Sequence, residues 1–515
     1  MTCDKKVAVS PSRPVVLRFA GSLFEALSKH LRADPSREQF AFLLAVPVNT
    51  AGGLLLLVQD LFLPERGDLI VQSAGRVEPS KGLQALVYCV AEQKGLAIID
   101  VHTHVMDRAP SFSPVDRGVA ARNAHYSAQR FELPITLGLV VFNRALTAHD
   151  AMVFDRERGE FEPISELQIV GPGLDIRRTG SSRGRTPESD ERYARQELVP
   201  GWTQAALGDL RIGIVGLGGH GAQVLQMLVS IGAAATGWIA SVDPDVVELS
   251  NLPRLPYATP DDVGKSKVEV AAEFVRRKNP TATFHRYPYS VTDPTARTRL
   301  QAADVLFGCG DIDGVRLVLN DLAVRFGIPL IDLGADIQVG DGTVEAGGQV
   351  RVVVPGATAC LACCGAFDPS QAALDLLGED DRAIYERRGY VIGADAGPTP
   401  SVAVLNTLIA QHAVTALLAL IGSGPFTRQD YLHVDWLTGR TLVAASARNP
   451  DCPACGERGF LLSGIDANLA PADTEPSWRP VTVPKGRCSK RLSRESVQLQ
   501  GERHDSTSGR SGSYE

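Results

Sequence analysis

A basic excess is missing from this 515-residue chain, in which 59 acidic residues outnumber 52 basic ones for a formal net charge of -7. A non-specific nucleic-acid binder shows the opposite balance, so no nucleic-acid partner is expected. Long apolar runs are missing as well. None reaches the roughly 18 residues of a membrane span, and the opening MTCDKKVAVSPSRP has no signal-peptide core. The expectation is a cytoplasmic chain without membrane contact. Cysteine is absent from residues 365–451, although the chain carries nine in all. An odd number, with four of them in two distant CxxC pairs, suggests metal before disulfide in a reduced compartment.

Hydrophobic residues make up 44% of the chain and charged residues 22%, which suits a globular interior. The length allows two or three domains. Residues 14–172 alternate apolar strands (41–48, 54–63, 96–101, 135–142) with a helical stretch at 83–94, giving a first α/β unit. Residues 173–191 carry Gly, Ser, Pro and charge without an apolar period and read as a linker. A second unit, 192–462, restarts as strand, glycine turn and helix. Its short strands at 212–215, 238–242, 304–307 and 329–333 predict a mostly parallel, doubly wound, Rossmann-like sheet. Residues 463–515 are polar and rich in Ser, Arg and Pro and read as a disordered tail.

Gly216, Gly218 and Gly221 form G-x-G-x-x-G between a strand and a helix, with Gly219 as a fourth glycine. Such a turn lets backbone approach phosphate at a helix N-terminus. Asp243, at the end of the next strand, stands where an acid holds a ribose. The loop alone fits NAD, FAD or ATP. Asn251, Arg254 and Lys267 follow, and they suit an enzyme that stabilises charge on a departing pyrophosphate. Asp311, in GCGD after a later strand, is a candidate Mg2+ ligand.

Together YARQEL (193–198), GLGGHG (216–221), DPDVVELSNLPR (243–254), VGKSKVEVA (263–271) and CGDIDGVRLVLN (309–320) resemble the ThiF/MoeB/ubiquitin-activating superfamily. The resemblance implies ATP-dependent adenylation of the C-terminal carboxylate of a ubiquitin-like protein. In that frame Asp243 holds the ribose, Asn251, Arg254 and Lys267 contact phosphates, and Asp311 orients magnesium. Arg195 would enter a neighbouring subunit's site, which implies a homodimer. Three alternatives remain: activation of a sulfur-carrier protein for thiamine, molybdopterin or cysteine-type sulfur transfer, an NAD(P)-dependent oxidoreductase, and a non-catalytic nucleotide-binding assembly module.

Cys360, Cys363, Cys452 and Cys455 supply four thiolates, a complete tetrahedral zinc shell with no position for a catalytic water. The segment RNPDCPACG (448–456) also resembles the zinc staple of the same superfamily. Relatives that form a thioester carry a cysteine between the zinc pairs. Only Cys364 and Cys309 lie near here, so adenylation without an enzyme-bound thioester is the expectation.

In the first unit, His102 and His104 follow a strand, where alternate residues share a face, and Ser113-Pro-Val-Asp116 comes after them. Two imidazoles and a carboxylate leave zinc an open position for hydrolysis. The pattern resembles the JAMM/MPN (JAB) metalloprotease family, in which an upstream Glu precedes HxH and S-x-x-D. The resemblance implies a JAMM/MPN-like fold, zinc on His102, His104 and Asp116, Glu38 as general base, Ser113 as oxyanion donor, and cleavage after ubiquitin-like C-termini. Val105 replaces the usual proline, and the spacing from His104 to Ser113 is one residue longer than the family's commonest form.

Overall fold

The computed structural model describes residues 14–130, 135–156, 158–179, 190–340, 342–377 and 400–465. The expected tail therefore lies almost wholly outside the described residues.

The amino-terminal lobe runs β1 (Val15–Ala20), α1 (Gly21–Leu31), β2 (Phe40–Thr50), β3 (Gly53–Phe62), β4 (Leu69–Gln72), β5 (Val77–Pro79), α2 (Lys81–Lys94), β6 (Ala97–Thr103), α3 (Pro114–Arg130), β7 (Leu137–Phe142), β8 (His149–Asp155), β9 (Glu160–Pro163), β10 (Glu166–Val170) and β11 (Leu174–Arg178). All but β4 and β5 join one sheet in the order β11-β10-β1-β3-β2-β6-β7-β8-β9. Strands β1, β6 and β7 are almost wholly buried, which explains their unbroken apolar runs. Helix α2 is capped by Ser80, whose side chain accepts from the Leu83 amide, and it ends on Gly95 in the left-handed region, the usual stop for a helix.

The carboxy-terminal lobe contains α4 (Gln204–Gly208), β12 (Arg211–Val215), α5 (Gly219–Ser230), β13 (Trp238–Val242), α6 (Lys267–Lys278), β14 (Thr283–Tyr287), α7 (Pro294–Leu300), β15 (Val305–Gly308), α8 (Asp313–Phe326), β16 (Leu330–Gly340), β17 (Thr343–Val353), α9 (Pro369–Asp375), α10 (Ala403–Leu420), β18 (Tyr431–Asp435) and β19 (Thr441–Ala444). Its sheet order is β14-β13-β12-β15-β16-β17-β18-β19. The first five strands are parallel and the last three antiparallel. The sheet is mixed, with the expected Rossmann-like arrangement confined to the strands before β17.

Helix α10 has the length and apolar content of a membrane span, yet half of it is buried within the protein. It packs on α5, β16 and β17, with Ile409, Ala413 and Leu417 fully buried. A core helix passes the same compositional test.

Part of the stretch read as linker is strand: β11 pairs antiparallel with β10, Leu174 opposite Val170 and Arg178 opposite Glu166. Only Leu174 and Ile176 alternate there, too short a period to read. The lobes also form one compact unit. Arg18, 2% exposed, donates from Nε to Gln168 (2.8 Å), from Nη1 to the Phe326 carbonyl (2.7 Å) and from Nη2 to the Ala303 carbonyl (3.0 Å). Arg211 bridges Asp304 (2.6 Å) and Glu166 (2.5 Å), and Gln168 also donates to Asp304 (2.8 Å). Burial pulls the Arg18 guanidinium down to about 10, and Asp304 opposes that shift. Charges buried this deeply persist only when paired, so these contacts weld the lobes.

Candidate functional site

The parallel strands of the carboxy-terminal lobe deliver their loops to one edge of the sheet, where such folds hold ligands. Leaving β12, the chain turns at Gly216, φ +88°, a backbone state that costs an L side chain energy. A Cβ at Gly221 would lie 1.8 Å from the Gly216 carbonyl oxygen. The loop closes onto α5 only without that atom.

Asp243 is 3% exposed and directly follows β13. Its carboxylate accepts from the Leu217 amide at 2.5 Å and the Asp245 amide at 2.8 Å. Burial raises its pKa, against the attraction of Lys267. Lys267 Nζ sits 2.6 Å from Asp245 and 3.9 Å from Asp243. Asn251 is buried in a 3-10 turn and accepts from the Glu248 amide. Arg254 donates to the Ser250 carbonyl at 2.9 Å, and its Cδ would lie 3.2 Å from a Cβ on Gly219. The sheet thus brings the glycine loop, Asp243, Lys267 and Arg254 to one mouth. Asp311 is exposed in the loop between β15 and α8, and its charge is felt at His220 inside the glycine turn. Arg195 is exposed, beside Gln196, which donates to the Ile231 carbonyl past the far end of α5. Helix α5 has 12 residues; at 1.5 Å each that is about 18 Å, so Arg195 does not reach the loop of its own chain.

Several polar groups of this region were not read from sequence. Asn406 of α10 is 4% exposed, and its Nδ2 would lie 2.2 Å from a Cβ on Gly219. Asp332 is 1% exposed beside Gly308, with Arg316 Nε 3.5 Å away. Burial raises the Asp332 carboxyl to about 6. His220 is pushed down to about 4 by burial and by Arg316. No spacing rule marks these residues, because they converge from separate elements. GLGGHG itself does display His220 inside the glycine motif.

The four zinc-candidate cysteines meet. Sulfur separations are 3.8 Å (Cys360–Cys363), 3.7 Å (Cys360–Cys452) and 3.3 Å (Cys363–Cys455). A tetrahedron of 2.3 Å Zn–S bonds has edges of about 3.8 Å, so the donor set fits zinc. Cys364 donates to the Cys360 carbonyl at 3.2 Å, and burial pushes both its thiol and that of Cys309 up. Neither thiol carries the lowered pKa of an activated nucleophile.

The other lobe gathers a second donor set. β6 pairs with β2 so that His102 faces Phe40, and the His104 amide donates to the Phe142 carbonyl at 2.8 Å. Ser113 caps α3: its hydroxyl accepts from the Asp116 amide (3.2 Å), and Asp116 accepts from the Ser113 amide (2.8 Å). That cap sets Asp116 Oδ2 4.0 Å from His102 Nε2. Donor atoms of His102, His104 and Asp116 lie within 4.8 Å of one another. His102 Nε2 is buried without a hydrogen-bond partner. Burial lowers the pKa of both histidines, which favours the neutral, ligating form. Glu38 is 8% exposed, and burial and the nearby Asp116 push it up to about 7. The extra residue before Ser113 is absorbed in the loop after β6 without separating the set.

The two sites lie far apart. The welded seam uses the amino ends of β12 and β15 through Arg211 and Asp304, opposite the glycine loop. At about 3.3 Å per residue, β2 carries Phe40 and the histidine site on the order of 30 Å from its other end.

A Rossmann-like α/β lobe with a glycine loop, a buried strand-end acid and a four-cysteine cluster defines a nucleotide-binding protein of E1-like build. Residues 192–454 match the ThiF family, and the chain belongs to that family. It is 31% identical over 289 residues to the sulfur carrier protein adenylyltransferase of Thermus thermophilus, covering 55% of this chain and 96% of that one. It is 31% identical over 273 residues to the pig (Sus scrofa) adenylyltransferase and sulfurtransferase MOCS3, covering 52% of this chain. The chain spans about half the length of that relative, 53%. The SAMP-activating enzyme E1 of Haloferax volcanii is 29% identical over 273 residues, 52% of this chain and 90% of that one. Among solved structures, Escherichia coli MccB covers 52% of this chain and 76% of its own at 22% identity and a TM-score of 0.41. The family match leaves the histidine lobe outside it, and none of these relatives shows a JAMM/MPN domain or a peptidase here.

Proposed function

We propose that this protein adenylates the C-terminal carboxylate of a small sulfur-carrier or ubiquitin-like protein with ATP. The observation that carries this is the meeting of the glycine loop with Asp243, Lys267 and Arg254. Asp243 would hold the ribose through the oxygens now satisfied by the Leu217 and Asp245 amides. Lys267 would trade its contact with the exposed Asp245 for phosphate, with Asn251 and Arg254 beside it. The carboxylate would attack the α-phosphorus, the bond to the bridging oxygen would break, and pyrophosphate would leave with charge that Arg254 and Lys267 stabilise. Asp311 would hold Mg2+, which when bound would neutralise further phosphate charge. Hydride transfer would give Lys267 and Arg254 no task, which argues against the oxidoreductase reading. The names of the relatives favour the sulfur-carrier branch over protein conjugation. Raised thiol pKa values at Cys364 and Cys309 support adenylation without a thioester. Arg195, exposed and far from its own loop, suits the arm that completes a partner's site in a homodimer. The experiment is pyrophosphate exchange into ATP, run with ubiquitin-fold carriers ending in Gly-Gly. Exchange is expected with a carrier and is lost in Asp311→Ala; exchange undiminished in that variant removes Asp311 from the reaction.

A second activity is supported by the buried, unpartnered His102 Nε2. We infer that His102, His104 and Asp116 hold zinc, which when bound would polarise a peptide carbonyl and acidify water. Glu38, whose carboxyl burial pushes up to about 7, would take the proton from water and pass it to the leaving amine. The Ser113 hydroxyl, already accepting from Asp116, keeps its own proton free for a developing oxyanion. Two zinc atoms per chain are expected, one of them lost in His104→Ala. Retention of both in that variant ends the hydrolase reading. With the sites at opposite ends of the unit, a substrate tail must leave one before it enters the other.

A further inference from the structure

The four-cysteine cluster does more than close its own loops. Downstream of Cys455 the chain folds tightly back: the Gly456 amide donates to the Cys452 carbonyl (2.9 Å), and the Phe460 amide to the Ala454 carbonyl (2.8 Å). The next residues run as a strap along the end of α8. Leu462 and Gly464 amides donate to the carbonyls of Val324 and Arg325, both at 3.0 Å. The Arg325 guanidinium lies 3.7 Å from the centre of the Phe460 ring.

The other side of the strap touches the amino-terminal lobe. Gln59, at the outer part of β3, donates to the Leu462 carbonyl at 2.9 Å. Leu462 is 3% exposed despite a φ of +55°, a conformation that costs a leucine roughly 1 kcal/mol and so must be held by its surroundings. Gly464 passes so near β2 that a Cβ there would lie 2.6 Å from Val48 and 3.0 Å from Val46. One continuous apolar cluster contains Cys360, Cys452, Cys455 and Leu462 together with Val16, Leu55 and Leu57 of the first lobe. Metal site and lobe seam therefore share a single core.

We propose that the four-cysteine site is a metal-dependent clasp for the two lobes. Metal on the four thiolates fixes the 452–455 turn. The turn fixes the strap at 460–464, and the strap closes the apolar seam with β2 and β3. Loss of the metal releases the strap and loosens the first lobe from the second, while the histidine site at the far end of β2 keeps its own sheet. The clasp does not depend on either catalytic reading.

Hydrogen exchange read by mass spectrometry on the full-length, zinc-loaded chain tests it, in a His104→Ala background so that 1,10-phenanthroline strips only the thiolate metal. Chelation is expected to speed exchange about tenfold or more at 43–58 and 456–464, with β6 to β8 unchanged. Acceleration confined to 356–368 and 448–456 would overturn the clasp. Should chelation melt the whole chain, Leu462→Gly decides, since glycine accepts the backbone angle and removes only the side chain. That variant is expected to keep its zinc yet exchange faster at 43–58; unchanged exchange there would also overturn the proposal.

Discussion

The lobes build their sites from different materials. The carboxy-terminal site is largely backbone: a glycine turn at φ +88°, amides on Asp243, and loops gathered at one sheet edge. The amino-terminal site is side chain: one imidazole from β6 and one just past its end, a carboxylate from the first turn of α3, and Glu38 from the approach to β2. Backbone sites fail abruptly when a Cβ is added, because no rotamer relieves the clash. Side-chain sites lose one donor at a time and leave the fold standing. The four-cysteine cluster is a third kind, side chains set within the apolar core itself.

The largest effect should separate the two metal sets. Cys452→Ser removes a ligand from a cluster fused to the core, and a structural zinc of this kind contributes roughly 10 kcal/mol. Thermal unfolding should show loss of the cooperative transition or a large fall in its midpoint, whereas His104→Ala should unfold close to the parent. Equal damage from both would erase the distinction. Gly221→Ala comes next. Its methyl group has no room against the Gly216 carbonyl oxygen, so Mg-ATP affinity by calorimetry should fall about a hundredfold or more, near 3 kcal/mol. A smaller loss would mean that the turn is not the phosphate cradle.

These materials also explain what could be read in advance. Gly216 and Gly221 were legible because nothing else fits their geometry, and the alternating apolar periods around them gave the parallel strands. The CxxC pairs and HxH were legible as spacing. Glu38 was reached only through a family pattern, since any upstream glutamate would have served. The weld between lobes was not legible. Arg18 lies inside an apolar strand, and its partners Gln168, Ala303 and Phe326 come from 150, 285 and 308 residues away. Strand β11 was missed because its two inward residues give no countable period.

A smaller effect concerns the charges at the mouth. Lys267 is held by Asp245, which is itself 62% exposed at its side chain. Lys267 itself is 10% exposed and lies 3.9 Å from the buried Asp243, so its loss leaves that carboxylate without its cation. Lys267→Ala should lower the melting midpoint by only a few degrees, on the order of 3 °C, yet weaken Mg-ATP binding about tenfold or more. Lys267→Arg should restore only part, because a planar guanidinium does not replace a compact ammonium. A variant that melts early but binds ATP normally would make Lys267 a structural partner of Asp243 instead.

The last effect lies beneath the glycine site, where backbone and side chain meet at Asp332. Burial raises this carboxyl from its ordinary 3.8 to about 6, against the pull of Arg316 and Arg351. A raised carboxyl binds its proton more tightly in the folded chain than in the unfolded one. Its favourable contribution is therefore complete below about pH 4, falls away as pH rises through 6, and is gone above it. Both oxygens lack hydrogen-bond partners, so ionisation there is not repaid by a network. Asp332→Asn cannot ionise. The stability of the variant relative to the parent should thus move in its favour between pH 4 and pH 7, by up to about 3 kcal/mol for a shift of this size. Urea unfolding at the two pH values measures the difference. A gap that does not change with pH would mean that Arg316 and Arg351 hold Asp332 ionised throughout, and the floor of the glycine site would then be a fixed ion pair.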